Sequence, residues 1–285
     1  TFEIPYVFIS IIFNLSINSF IAILFKFRPG RFLIDKIINA IFSLKKNISH
    51  NGVDLTFHAP NRINFYRTET FSTKEPETLE WIDNFKKNKV FWDIGANIGL
   101  YSCYAAKKNN CKVYSFEPSV FNLELLSRNI HTNELSEKIT IVPFPLSDRT
   151  GFNNFFITTK DWGGAFSNFG DSLDHHGQPI SKKFYYKTLG VSMDEAVKEI
   201  KFEQPNYIKM DVDGIEHLIL KGSLTSLKNV ESILIEVNKN YKKQSDEIKH
   251  YLMSSGFKLK EKKQIEVIED SINVPYFFNE IWIKQ

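Results

Sequence analysis

The stretch W-D-I-G-A-N-I-G-L-Y-S, residues 92–102, decides the fold of this 285-residue chain. An apolar run ends at Asp93, a turn with Gly95 and Gly99 follows, and apolar and small residues then resume. This order is typical of a β-strand that passes through a tight turn into an α-helix. The two glycines let backbone approach a ligand, and the helix start offers free N–H groups. The stretch therefore predicts a nucleotide-binding turn.

Short β-rich runs alternate with helical runs from residue 89 onward. The predicted strands are Val90–Ile94, Lys112–Phe116, Thr140–Phe144, Tyr207–Asp211 and Ser232–Glu236, and the predicted helices are Ile98–Lys108, Ser119–Thr132, Ser192–Glu199, Ile215–Lys221 and Ser245–Ser255. This alternation predicts an α/β fold: a Rossmann-like, doubly wound, mostly parallel sheet with helices on both faces. Two tail strands, Ile265–Glu269 and Asn279–Ile283, are expected to add an antiparallel edge hairpin.

Residues 1–50 are predicted to form an N-terminal helical segment ahead of a single domain at 51–285. Ile4 to Phe25 carries no charged side chain and is long enough to span a bilayer core, which needs about 20 residues. A polar stripe at every fourth residue (Ser10, Asn14, Asn18) instead favours packing on the domain or in an oligomer. The spacing of apolar and basic residues in 31–46 predicts an amphipathic helix. Such a helix can lie on a membrane surface or pack on the hydrophobic core of the domain. Residues 4–46 are therefore a candidate membrane contact, and the oligomeric state stays open.

Two shorter segments precede the first strand of the sheet. Leu55–Phe57 and Asn64–Tyr66 flank the turn-like A-P-N-R and are predicted to pair as a hairpin. Pro76–Phe85 is predicted to be a helix with proline at an early position.

Composition narrows the class of protein and of partner. The formal net charge is +3, so nothing in the chain demands a nucleic acid, and we expect none as partner. Cys103 and Cys111 are the two cysteines, and they form neither a disulfide framework nor a metal-ligand spacing. A reducing compartment is the simpler expectation, so we predict a cytoplasmic protein that can associate with the cytoplasmic face of a membrane.

The turn discriminates between two cofactors. A dinucleotide fold requires G-x-G-x-x-G, but Asn97 stands at the middle glycine position and the third glycine is missing. Asp93 precedes the turn, where a carboxylate would repel a pyrophosphate but attract a cation. S-adenosylmethionine carries a sulfonium, an ammonium and no phosphate. Glu117, at the end of the second strand, can accept hydrogen bonds from both ribose hydroxyls.

Five ordered blocks together resemble the FkbM family of class I S-adenosylmethionine-dependent methyltransferases. They are K-E-P-E-T-L-E-W-I (74–82), W-D-I-G-A-N-I-G-L-Y-S (92–102), Y-S-F-E-P (114–118), P-L-S-D (145–148) and I-K-M-D-V-D-G-I-E (208–216). Two departures are visible: Asp213 stands where the family carries Glu, and T-L-G-V-S-M-D-E (188–195) replaces the family's T-L-D.

The resemblance implies S-adenosylmethionine as cofactor and a set of binding residues. The methionine part would lie on the turn, the ribose on Glu117, and the adenine near Ser147 and Asp148. Asp148 can equally be a β-turn residue before Gly151. The candidate cofactor-binding residues are Asp93, Gly95, Ala96, Asn97, Gly99, Tyr101, Glu117, Pro118, Ser147 and Asp148.

Methyl transfer to an alcohol needs a base near the methyl group. Asp211 ends the fourth predicted strand and is the favoured catalytic residue, with Asp213 and Glu216 close behind it. These acids could supply a base, a cation site or a helix cap. We expect no metal, because a carboxylate-rich site needs more ligands than the sequence identifies. Glu236, at the end of the fifth strand, could line the same pocket.

A Gly- and aromatic-bearing insert at 158–187 has the composition of a substrate lid. Its His175 and His176 are candidate catalytic bases at neutral pH, although a surface pair of loop histidines is the simpler interpretation. Trp162 would suit stacking on a sugar ring.

The sequence predicts an O-methyltransferase that uses S-adenosylmethionine on a hydroxyl of a sugar, a polysaccharide or a secondary metabolite. Three alternatives stay open. They are an N-methyltransferase on an amine, a binding module whose methyltransferase fold has lost activity, and an NAD-dependent oxidoreductase, which the missing middle glycine disfavours.

Overall fold

A computed structural model describes residues 6–170, 184–265, 267–269, 272–274 and 276–285, with side chains described from residue 16 and outside 267–274. The helices are α1 Tyr6–Phe25, α2 Arg28–Phe42, α3 Arg62–Glu69, α4 Pro76–Asp83, α5 Leu100–Asn109, α6 Val120–Thr132, α7 Met193–Lys198, α8 Glu216–Lys221 and α9 Lys242–Ser254, with a 3-10 turn at Ser226–Asn229.

The strands fall into one large sheet and three small ones. They are β1 Lys45–His50, β2 Val53–His58, β3 Val90–Ile94, β4 Lys112–Phe116, β5 Ile139–Val142, β6 Leu146–Ser147, β7 Gly151–Ile157, β8 Asn168–Phe169, β9 Phe184–Ser192, β10 Tyr207–Met210, β11 Ser232–Asn238, β12 Phe257–Gln264, β13 Val267–Glu269, β14 Ile272–Val274 and β15 Phe277–Lys284.

The seven-stranded sheet has the order β12-β15-β11-β10-β3-β4-β5. Five strands, from β11 to β5, are parallel, and β15 joins them antiparallel to both β11 and β12. The chain builds outward from β3 in one direction and returns to add β10 on its other side. The boundary between β3 and β10 is therefore the topological switch point, where such sheets bind ligands beyond the carboxyl ends of the strands.

Buried side chains alternate between the two faces of the sheet along each strand, and they form one hydrophobic core on each face. Trp92 packs with Tyr114 and Phe116 on one face, while its neighbour Phe91 packs with Val113 on the other. Successive strand side chains point to opposite faces, so helices must cover both. The predicted doubly wound α/β fold is thus confirmed, including the N-terminal helices and the antiparallel edge.

Three local predictions were wrong. Residues 62–69 form a helix, not a strand, because the side chain of Asn61 accepts a hydrogen bond from the Asn64 N–H and caps it. The hairpin instead joins β1 to β2, so Lys45 and Lys46 belong to a strand and α2 ends at Phe42. At the tail, β15 pairs along its length with β12. Ile265 also donates its N–H to the Phe277 carbonyl of β15, but residues 267–269 form β13, which pairs with β14.

The N-terminal helices form a helical hairpin that turns at Lys26 and Phe27, and Gly30 lies in the first turn of α2. A Cβ on Gly30 would lie 2.0 Å from the carbonyl oxygen of Leu24, so the two helices approach closely there. Within the part of the chain that the structure describes, no helix is long and apolar enough to cross a membrane. The predicted domain boundary at residue 50 falls inside the β1–β2 hairpin.

Candidate functional site

The turn after β3 is held by its neighbours on both sides. The N–H groups of Gly95 and Ala96 both donate to the carbonyl oxygen of Phe116, at 3.0 Å each. Gly95 has φ +88°, and a Cβ there would lie 1.8 Å from the carbonyl oxygen of Asp211. Only glycine therefore fits between the ends of β3 and β10.

Asp93 lies beneath the turn rather than in it. Its carboxylate is fully buried; one oxygen accepts from the Ser102 hydroxyl at 2.5 Å, and the other has no hydrogen-bond partner. Burial raises the pKa of Asp93, and the nearby Lys209 ammonium only partly offsets that rise. An unpartnered buried carboxylate oxygen is costly, and contact between this buried group and a cationic ligand stays a prediction.

Glu117 closes the other side of the turn. Its carboxylate accepts from the backbone N–H of Asn97 at 2.9 Å and from that of Ser119 at 2.7 Å. Burial raises the pKa of Glu117 to about 7, although these backbone hydrogen bonds favour the ionised form. The Asn122 side chain also hydrogen-bonds this carboxylate, and a remaining lone pair can accept from a ligand hydroxyl.

Two clefts meet at the turn, with Gly95, Asn97 and Asp211 bordering both. The first, the Glu117 cleft, has an empty volume of about 560 Å³, part of it open to solvent. Its walls are mainly apolar and come from β4, the β5–β6 connection and the loop at 164–169; they include Phe116, Glu117, Pro118, Pro145, Leu146, Phe155 and Phe169.

The second, the Glu75 cleft, has an empty volume of about 540 Å³ and contains most of the charge. Glu75 is buried and hydrogen-bonds Tyr101. The side chain of Lys209, 2% exposed, donates to Asp211 at 2.8 Å. Burial alone would raise the pKa of Asp211, but Lys209 outweighs it and the pKa is lowered. Asp211 is thus ionised beside the turn.

Three acids offer oxygens within 4.8 Å of one another: Asp211, Asp213 and Glu236. Burial and the negative charges of the other two acids raise the pKa of Glu236 well above its usual value. Asp213 accepts from the N–H of Phe166 at 2.7 Å. These three carboxylates can act as proton acceptors. Their oxygens also match the ligands that a divalent cation prefers.

Glu216 has a structural position. Its carboxylate accepts from the N–H groups of Val212 and Gly214 and from the Gln244 amide. It therefore fixes the loop after β10 and does not face either cleft.

A short loop at 162–164, within the predicted insert, covers the turn. The Trp162 carbonyl accepts from Asn61 and Asn64. The Gly164 carbonyl accepts from the side chain of Asn97 at 2.9 Å and from that of Asn122 at 3.1 Å. The loop is thereby tied to α3, to α6 and to the turn, as a lid over a bound ligand would be.

The structure brings together most of the predicted site residues but not all. Tyr101 and Pro118 line the clefts, whereas the lining residues include none of Asp93, Gly99, Ser147 and Asp148. Asp148 pairs with Lys221 at 3.1 Å. The adenine role of Ser147 and Asp148 stays a prediction. His175 and His176 lie outside the described residues.

Two residues of the Glu75 cleft were assigned no role from the sequence. Glu75 lies in the first of the five blocks, and Lys209 is a charge inside an otherwise apolar strand. A lysine in a buried strand was the available signal, because such a group requires partners.

Comparison with known proteins identifies the family. The model of the methyltransferase FkbM domain matches residues 93–259, more than half of the chain. The chain belongs to the FkbM methyltransferase family, and the expected cofactor, S-adenosylmethionine, is thereby confirmed.

Individual relatives match over part of their length. The hexuronic acid methyltransferase AglP of Haloferax volcanii is 27% identical over 161 residues, 55% of this chain and 59% of that protein. The methyltransferase sdnD of Sordaria araneosa is 35% identical over 162 residues, 50% of this chain and 62% of that protein. The structure of M. jannaschii TYW2 in complex with AdoMet aligns with a TM-score of 0.43 at 12% identity, covering 85% of this chain and 87% of that one.

Proposed function

We propose that this protein is an S-adenosylmethionine-dependent O-methyltransferase that acts on a hydroxyl group of a sugar. The observation that carries the proposal is the ionised Asp211, which borders both clefts within 4.8 Å of Glu236. The similarity to a hexuronic acid methyltransferase supports a sugar as acceptor.

The two clefts suit the two halves of the cofactor. The apolar walls of the Glu117 cleft suit the adenine ring, and Glu117, which lines the same cleft, would accept from the ribose hydroxyls. The charges of the Glu75 cleft suit the amino-acid part, with Glu75 for its ammonium and Lys74 or Arg67 for its carboxylate. The turn at Gly95–Asn97 would hold the sulfonium between them. Bound there, the cofactor supplies an electrophilic methyl group.

The acids at the junction of the clefts suit removal of a proton from an alcohol. A hydroxyl placed beside Asp211 would donate its hydrogen to that carboxylate, which Lys209 holds ionised. Glu236 has the higher pKa of the two, so in its ionised form it is the stronger base and takes the proton on from Asp211. The nucleophile thus loses its proton as it attacks the methyl group in line.

The test is mass spectrometry after incubation of the protein with methyl-labelled cofactor and separate acceptors: uronic acid glycans, neutral glycans, an amine and an RNA. We expect label on a sugar oxygen. Asp211→Asn should reduce transfer by about 10²-fold or more while cofactor binding persists. Asp246→Asn, an exposed carboxylate remote from the site, should leave transfer unchanged.

Several outcomes would contradict the proposal. Label on the amine, with Asp211→Asn fully active, would identify an N-methyltransferase, which needs no such base. Label on RNA would refute the expectation that nucleic acid is not the acceptor. Cofactor binding without transfer to any acceptor would favour a binding module.

A further inference from the structure

The N-terminal helices expose an unusual amount of apolar surface. Twelve of the 23 exposed large apolar side chains of the described residues lie between residues 17 and 44. We call this surface the α1–α2 face; it comprises Ile17, Phe20, Ile21, Ile23, Phe25, Phe27, Phe32, Leu33, Ile37, Ile38, Ile41 and Leu44. Contiguous apolar surface of this extent marks a site of contact with a partner or a membrane.

The face is continuous along α2. Leu33, Ile37 and Ile41 follow at intervals of four and lie on one side of the helix, with exposures of 49%, 48% and 37%. A helix of a globular protein usually packs such a stripe against the core. In the part of the chain that the structure describes, the stripe of α2 is exposed instead. The stripe is therefore exposed for contact with a partner outside the α/β domain.

Charge around the face indicates which occupant. Residues 26–44 contain four basic side chains and a single acid, Asp35. The Lys36 ammonium lies 5.2 Å from the centre of the Phe32 ring, so a cation sits at the margin of the apolar stripe. An apolar stripe bordered by lysine and arginine matches the interface of an anionic bilayer, where the apolar side chains enter and the cations meet the head groups.

The attachment of the hairpin connects this face to the site. At the end of α2, the Phe42 ring packs edge-on against Trp162 at 4.7 Å, and the Arg128 guanidinium lies 4.6 Å from the same ring. Trp162 begins the loop that covers the turn. A membrane on the α1–α2 face would therefore lie beside the lid.

We propose that the α1–α2 face docks on the surface of an anionic lipid membrane. The apolar side chains of α2 and of the second half of α1 enter the head-group boundary, and Lys26, Arg28 and Lys36 pair with lipid phosphates. The docked protein holds the lid region, through Phe42 and Trp162, next to the bilayer.

Co-sedimentation of the full chain with vesicles tests the proposal. One vesicle contains phosphatidylcholine alone and the other adds about 30% phosphatidylglycerol. We expect binding to the anionic vesicle at least about tenfold stronger, weakened when salt rises from about 0.1 to about 0.5 M. Leu33→Ser with Ile37→Ser, and separately Lys26→Glu with Arg28→Glu, should each reduce binding by about tenfold.

Two controls separate docking from misfolding. Leu259→Ser removes an apolar side chain of similar exposure, 39%, from the far edge strand β12, and should bind vesicles as the parent does. All variants should retain the melting temperature and cofactor affinity of the parent.

Three results would overturn the proposal. They are absence of vesicle binding, binding that ignores lipid charge and salt, or a concentration-dependent dimer in light scattering that Leu33→Ser with Ile37→Ser abolishes. The last result would assign the face to a second copy of the chain. None of these results bears on methyl transfer, which is measured with free acceptors.

Discussion

Replacing Lys209 by methionine tests the charge network beneath the site. Methionine keeps the length and packing of a side chain that is 2% exposed, but it removes the cation that pairs with Asp211 at 2.8 Å. Deleting one partner of a buried ion pair costs about 3–5 kcal/mol. Because the Asp211 side chain is 30% exposed, water screens part of the loss, and we expect the lower end, about 3 kcal/mol, at pH 8.

The pH dependence of this loss has a definite sign. In the parent chain the pKa of Lys209 is raised, mainly by Asp211 against the effect of burial, so its contribution is present below the unfolded lysine pKa of about 10.4. Without Lys209, burial is less opposed at Asp211, Asp93 and Glu75, so the pKa values of these acids rise. At a pH below these raised values the acids become protonated, which removes the unpaired buried charge. The loss of unfolding free energy in Lys209→Met should therefore be smaller at pH 5 than at pH 8.

Thermal unfolding followed by circular dichroism measures both effects. A loss of 3 kcal/mol corresponds to a fall in Tm of roughly 6–12 °C at pH 8 for a chain of this size. Lys198→Met is the matched control, because that side chain is 81% exposed and its removal should shift Tm by less than about 2 °C. A shift for Lys209→Met no larger than the control, or one equal at pH 5 and pH 8, would refute the reasoning.

Three further predictions concern the clefts and the lid. Because the pKa of Glu117 is raised to about 7, its carboxylate is protonated below that pH, and cofactor affinity should weaken by up to about tenfold per pH unit. Calorimetry measures this dependence, which should be absent in Glu117→Gln. Asn122→Ala removes the amide that holds the backbone of both Gly163 and Gly164; stopped-flow should show cofactor release several-fold faster, and an unchanged rate would mean that the loop is no lid. Glu236→Gln should lower kcat by about 10²-fold with cofactor affinity unchanged, whereas full activity would exclude Glu236 from proton transfer.

The parallel sheet could be predicted because local pattern and fold agree there. Val90–Ile94 and Lys112–Phe116 were predicted with the bounds that the structure shows. Buried parallel strands are continuous apolar runs, and a glycine turn marks the end of the first one. The turn itself required only residues adjacent in sequence.

Features that depend on distant partners could not be predicted. Asn64–Tyr66 has strand-like residues, yet the Asn61 cap makes the segment helical. Asp211 is only two residues from Lys209, but Asp93 and Glu75 are distant in the chain, and Asp93 comes beside Lys209 only when β10 lies next to β3. Likewise, nothing local to 162–164 indicates the asparagines of α3 and α6 that hold the loop.

Calorimetric titration of S-adenosylmethionine into the parent, Gly95→Ala and Gly52→Ala tests the central claim most directly. Both glycines have positive φ, but a Cβ at Gly95 would strike the Asp211 carbonyl at 1.8 Å, whereas Gly52 has open space around it. We predict that the parent and Gly52→Ala bind the cofactor alike and that Gly95→Ala does not bind it. Equal binding by all three proteins, or no binding by the parent, would contradict the assignment of this turn as the methyl-donor site.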